Sequence, residues 1–122
     1  MKFKIVEQEE KYTKILNDIK NKFDLTGQED GGKCKEVSQY IENKYKIPQA
    51  PVSIWGNDWS WSSIDGHYVN LDGDKIVDYT IQQYAKDIKK DVEDIKVPNI
   101  AEYNKEDDCY ISEIVSYKIE EE

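Results

Sequence analysis

The sequence contains no arginine: all 17 of its basic residues are lysine, set against 26 acidic ones for a formal net charge of −9. Arginine is the side chain whose planar guanidinium grips a phosphate through two hydrogen bonds at once. Its absence and the negative charge together argue against direct nucleic-acid binding. Long apolar runs are missing as well. None approaches the roughly 18 residues that a membrane-spanning helix needs, and Met1-Lys-Phe-Lys-Ile-Val-Glu turns acidic before any stretch that could direct secretion. A soluble, cytoplasmic product is therefore expected, with no membrane partner. Cysteine is scarce, with only Cys34 and Cys109 present. A lone bridge in a chain without an export signal is disfavoured, and no Cys-x-x-Cys or His/Cys cluster suggests zinc. The expectation is two free thiols, no metal and no cofactor.

What is present suffices for one folded unit. A length of 122 residues is that of one ordinary domain, so a single domain over 1–122 is expected, and nine Tyr and three Trp raise the apolar share to 38%. Tyr12, Ile15, Leu16, Ile19 and Phe23 recur at helical spacing over residues 8–23, which describes an amphipathic helix lying on a core. A glycine-containing polar stretch from Gly27 leads into a second helix over Lys33–Tyr45, stopped ahead of Pro48. Its inward stripe is Cys34, Val37, Ser38, Ile41 and Tyr45. Residues 51–63, with Trp55, Trp59 and Trp61, read as a loop or irregular strand.

Asp65 to Leu71 reads as a strand, Asp72-Gly73 as a tight turn whose central positions need positive φ, and Lys75–Tyr79 as the return strand. Ile88, Val92 and Ile95 predict a surface helix over Lys86–Lys96, closed by Pro98. Cys109 to Ile119 predicts one further strand, bulged near Glu113. The fold class that follows is α+β, with the N-terminal helices packed on an antiparallel sheet built from the hairpin and the C-terminal strand.

The hairpin carries the chemistry. With Asp72 and Gly73 as the two turn residues, Val69 faces Ile76 and the only histidine, His67, falls directly opposite Asp78, within reach of a carboxylate–imidazole hydrogen bond. A three-residue loop would put Tyr79 there instead. Cys34 stands at a helix start, where unpaired backbone N–H groups and the macrodipole favour a thiolate. A thiolate beside an imidazolium that a carboxylate holds is the general form of thiol acyl-transfer catalysis. Taken alone, Cys34 reads equally as a small buried hydrophobe beside Val37 and Ile41, and His67–Asp78 as a structural hydrogen bond.

The run Gly66-His-Tyr-Val-Asn-Leu-Asp-Gly-Asp-Lys-Ile-Val-Asp-Tyr-Thr-Ile-Gln-Gln-Tyr resembles the His and Asp strands of the papain-like and transglutaminase-like cysteine hydrolase superfamily. Gly32-Lys-Cys-Lys-Glu-Val-Ser is similar to its nucleophile helix. Together they span roughly residues 27–84 in the order Cys, His, Asp, as in a small bacterial or phage member. The resemblance implies a papain-like/transglutaminase-like core, with Cys34 as nucleophile, His67 as general base and acid, and Asp78 as the orienting carboxylate. It also implies that Gln28, six residues before Cys34, donates to the developing oxyanion together with the Cys34 backbone N–H. Lys35 stands where the superfamily usually has an aromatic.

The chemistry so implied is attack on an amide of a protein or peptide substrate, as in a cysteine peptidase, glutamine deamidase or transglutaminase. The three tryptophans read as core and loop packing or, for a ring such as Trp59 or Trp61, as the wall of a substrate cleft. The competing reading is a noncatalytic acidic binding or inhibitor protein, an immunity factor or phage counter-defence protein that keeps the fold without the activity.

Overall fold

A computed structural model describes residues 2–23, 33–58 and 63–120, with α1 side chains from residue 10 onward. Two helices come first, α1 over Lys2–Lys22 and α2 over Lys33–Tyr45. Strands β1 (Gln49–Gly56), β2 (Ile64–Asp72) and β3 (Lys75–Asp78) follow. A 3₁₀ turn at Ile81–Tyr84 and the short α3 (Ala85–Ile88) then lead to β4 (Asn99–Asn104), β5 (Cys109–Ile111) and β6 (Val115–Ile119). Each strand pairs antiparallel with the next, and β6 returns to pair with β1, so the six strands close into a barrel.

That closure corrects the expected helices-on-open-sheet arrangement and the papain-like/transglutaminase-like core with it. Three segments account for the difference. Residues 51–63 read as a loop or irregular strand and residues 99–104 carried no reading, and proline is rare inside a paired strand. Pro51 is nevertheless a β1 residue: opposite it Tyr68 belongs to a pair that exchanges no hydrogen bonds, and the Pro51 carbonyl accepts from Glu120 N–H. β4, just beyond Pro98, pairs on both sides with β3 and β5. The anticipated single C-terminal strand is two, parted at Ser112. There the Ser112 N–H donates to the Val115 carbonyl at 2.9 Å and its hydroxyl oxygen accepts from the Ile114 and Val115 N–H groups.

The helix expected over Lys86–Lys96 is also corrected. It ends at Ile88 because Lys89 takes up φ 62, a left-handed cap, and only a three-residue 3₁₀ turn follows at Val92–Asp94.

The six strands enclose one core, in which Val52, Ile54, Val69, Ile76, Ala101, Val115 and Tyr117 are buried, with Ile81, Ala85 and Ile95 packed against them. A barrel of so few strands has an interior that side chains fill. A second cluster, Tyr12, Ile15, Ile19, Val37, Ile41, Ile47, Val77 and Tyr79, lies between the two long helices and the outer face of β3. Most of the periodic residues of α1 and α2 are thus buried, with Leu16, Phe23 and Tyr45 partly so at the edge of the cluster. No helix among the described residues is long and apolar enough to cross a membrane.

Candidate active site

Two departures from regular strand geometry place His67. The β2–β3 turn is made by Gly73 and Asp74, with Asp72 paired to Lys75 and Asn70 to Val77. That register is two residues away from the expected one, so the same side chains face inward but His67 and Asp78 become diagonal neighbours. The second departure is in β2, where Val52 pairs with His67 and Ile54 with Ile64. Two residues of β1 thus span three of β2. Strict alternation would put Ile64 and His67 on opposite faces. The bulge, with Gly66 at φ 78, turns both into the barrel.

Inside, His67 Nε2 lies 2.8 Å from Asp78 Oδ2. Both residues are 1% exposed. A buried carboxylate needs donors on every lone pair it can fill. Oδ2 also accepts from the Tyr117 hydroxyl at 2.8 Å, while Oδ1 takes the Thr80 N–H at 3.0 Å and the Thr80 hydroxyl at 3.3 Å. Asn99 Nδ2 donates to the Tyr117 oxygen at 2.8 Å. Burial above all, and then the charge of Asp78, hold the Tyr117 hydroxyl well above its ordinary pKa, so it remains a donor at every physiological pH. The Tyr117 ring lies nearly parallel to the imidazole at 6.4 Å, and Tyr84 meets that ring edge-on at 5.0 Å.

Cys34 reaches this pair from outside the barrel. The β2–β3 ladder runs from the turn as far as Asn70 and Val77. Tyr68 N–H points away from β1, towards the side where the next β3 bond would have been. It donates to the Cys34 thiol instead. Asn70 holds α2 in place, its Nδ2 donating to the Ser38 carbonyl at 2.9 Å and the Ile47 carbonyl at 3.0 Å. Gln49 Nε2 donates to the Ser38 hydroxyl at 2.8 Å.

The thiol is hydrogen-bonded to His67. Since Asp78 occupies Nε2, Nδ1 is the nitrogen left for sulfur. Burial pushes the Cys34 pKa up, but the hydrogen bond to His67, the Tyr68 N–H and the imidazole's charge outweigh it, and the net direction is down. A first-turn position on α2 favours the thiolate further. For His67, burial pushes down, while the charge of Asp78 and the hydrogen bonds to Asp78 and Cys34 prevail and raise it to about 9. Each partner favours the charged form of the other, the arrangement of a thiolate–imidazolium pair. Cys34 is itself only 3% exposed, so the pair lies beneath the surface.

The structure therefore brings Cys34, His67 and Asp78 together. Gln28, Trp59 and Trp61 lie outside the described residues. Trp55 belongs elsewhere, lining an outer groove of β1 and β6 with Asn57, Cys109, Ser116 and Lys118. Cys109 is buried, and neither cysteine forms a disulfide.

Sequence reading passed over Tyr117, Asn99 and Gln83. Tyr117 had a signal, since a tyrosine inside an apolar strand parity must find a partner for its hydroxyl. Gln83 Nε2, 3.3 Å from His67 Nδ1, had none beyond its place in the motif, and Asn99 had none. No family model, curated protein or solved structure matches the chain.

Proposed function

We propose that this chain is a thiol-dependent amide hydrolase or acyl transferase, with Cys34 as nucleophile, His67 as base and acid and Asp78 as the carboxylate that orients the imidazole. The observation that carries the proposal is the hydrogen-bonded chain from the Cys34 thiol through His67 to Asp78, drawn from a helix and two strands and closed by a 2.8 Å contact. In the reaction the thiolate attacks a carboxamide or peptide carbonyl, His67 protonates the leaving amine, and water or an amine resolves the thioester. Peptidases, glutamine deamidases and transglutaminases share these steps. The substrate class is an amide of a protein or peptide, and the compartment that suits a reduced thiol is the cytoplasm.

The test is the pH dependence of Cys34 alkylation, followed by mass spectrometry in the native protein and in His67→Ala. An apparent pKa well below the roughly 8.5 of an ordinary cysteine, lost without His67, supports the enzyme. An ordinary profile in both proteins sinks it.

One observation favours a second reading. A thiol only 3% exposed, on a chain of net charge −9, suits an acidic binding protein in which the triad is a structural element. Such a protein would form a stable stoichiometric complex that Cys34→Ser leaves unchanged.

A further inference from the structure

Acylation of a thiol needs more than a nucleophile and a base. As sulfur attacks, the carbonyl π pair moves onto oxygen, and that charge must be met by a donor already in place. Gln83 occupies the right region. Its Nε2 lies 3.3 Å from His67 Nδ1, the nitrogen not taken by Asp78, so this amide stands against the ring that also hydrogen-bonds the thiol. A second bond, from Nε2 to the Thr80 hydroxyl at 3.2 Å, anchors the amide to the side chain that donates to Asp78. Cys34, His67 and Asp78 are buried, whereas Gln83 is half-buried on the 3₁₀ turn.

The chemistry of the donor also fits. In the imidazolium of the ion pair, Nδ1 carries a hydrogen and accepts nothing. With one amide N–H of Gln83 on the Thr80 hydroxyl, the other, on the side of Nδ1, has no acceptor in the ring and is available to the oxyanion that forms beside sulfur.

We infer that Gln83 is a catalytic residue of this site, the side-chain donor to the oxyanion of the tetrahedral intermediate. The inference rests on the reading of Cys34 as an acylated nucleophile.

Two reactions of the same thiol separate the roles. With p-nitrophenyl acetate the thiolate attacks the carbonyl carbon, a C–S bond forms and the π pair moves to oxygen. Collapse re-forms the C=O bond and expels p-nitrophenolate, leaving an acetyl thioester on Cys34. With iodoacetamide the thiolate displaces iodide in one step, and no oxyanion appears. Rates of both are measured for the wild type, Gln83→Ala and the donor-free, similarly long Gln83→Met, with the thioester located on Cys34 by mass spectrometry.

The expected result is acylation slower by about 100-fold in both variants, the loss typical of a single oxyanion donor, while alkylation keeps its pH midpoint. If acylation and alkylation fall together, Gln83 merely positions His67; if acylation is unchanged, it does nothing at this step. Either result overturns the inference and leaves the nucleophile standing. A wild-type protein whose Cys34 alkylates as an ordinary thiol and is never acylated overturns the enzyme reading and Gln83's role with it.

Discussion

His67 and Asp78 meet across a diagonal of the β2–β3 hairpin, Nε2 to Oδ2 at 2.8 Å, and not as directly opposed residues. Diagonal Cβ atoms in an antiparallel pair are about 7 to 8 Å apart. An imidazole and a short carboxylate together bridge that gap, which leaves Oδ1 for the Thr80 groups. The contact thus depends on both side chains leaning toward each other, and a change in either backbone is felt there.

Asp78→Asn removes the charge that holds the His67 pKa up. With burial then less opposed, that pKa falls, and Cys34 loses the imidazolium charge that lowers its own pKa, a larger effect than the opposite one of removing the Asp78 charge itself, so the Cys34 pKa rises toward its ordinary value. Alkylation of Cys34 at pH 7 is expected to slow by at least about tenfold, the change that one pKa step produces. An unaltered rate profile would separate Asp78 from the thiol.

Tyr117→Phe keeps the ring beside the imidazole and deletes only the hydroxyl, leaving Asn99 Nδ2 and Asp78 Oδ2 each one partner short. Denaturant titration is expected to show a loss of about 1 to 3 kcal/mol. Because the carboxylate is then less fully held, the alkylation midpoint should also move upward. A stability loss with no movement of the midpoint would confine Tyr117 to packing.

Gly66→Ala tests the bulge. An added Cβ meets nothing within 4 Å, so its cost is conformational, from the positive φ of 78. A destabilisation of about 1 kcal/mol is expected, along with slower alkylation as His67 loses its aim. Full reactivity in a destabilised variant would show that the imidazole holds its place without the bulge.

The pH dependence of stability follows from the direction of the His67 shift. Its pKa is raised from 6.5 to about 9 on folding, so the folded state binds the proton more tightly. The resulting stabilisation is fully present below pH 6.5 and is lost as pH rises through about 9. Chemical denaturation of the wild type and of Asp78→Asn across this window should therefore give curves that converge toward alkaline pH. Curves that stay parallel would mean that the imidazole is neutral in the folded protein.

Residue spacing made α1 and α2 legible, since Ile15, Ile19, Val37 and Ile41 recur at a period that only a helix buries on one side, whereas the same spacing of Ile88, Val92 and Ile95 misled. The inward parity of the hairpin was legible for a related reason: a register error of two leaves every side chain on its own face. The barrel was not. Its closure depends on β1 and β4, whose neighbouring prolines conceal them, and on splitting Cys109–Ile119 at Ser112, which depends on hydrogen bonds that no periodicity records. Cys34 and His67 could be named because their types are rare here, with one histidine and two cysteines in the chain, and Asp78 because the hairpin parity puts it on the face of His67. The residues behind them could not, because Asn99 and Gln83 acquire meaning only from neighbours that are distant in sequence.

Barrel closure also bears on when the buried polar network is completed during folding. The seam between β1 and β6 joins groups as distant as Ser53 and Glu120, 67 positions apart. Contacts of that span come late, since the entropy of closing a long loop must be overcome before they stabilise anything. Tyr117 belongs to β6 and reaches Asp78 across the finished lumen. A partly folded chain consequently lacks the Tyr117 bond to Asp78, and the buried network around His67 is complete only with the last strand.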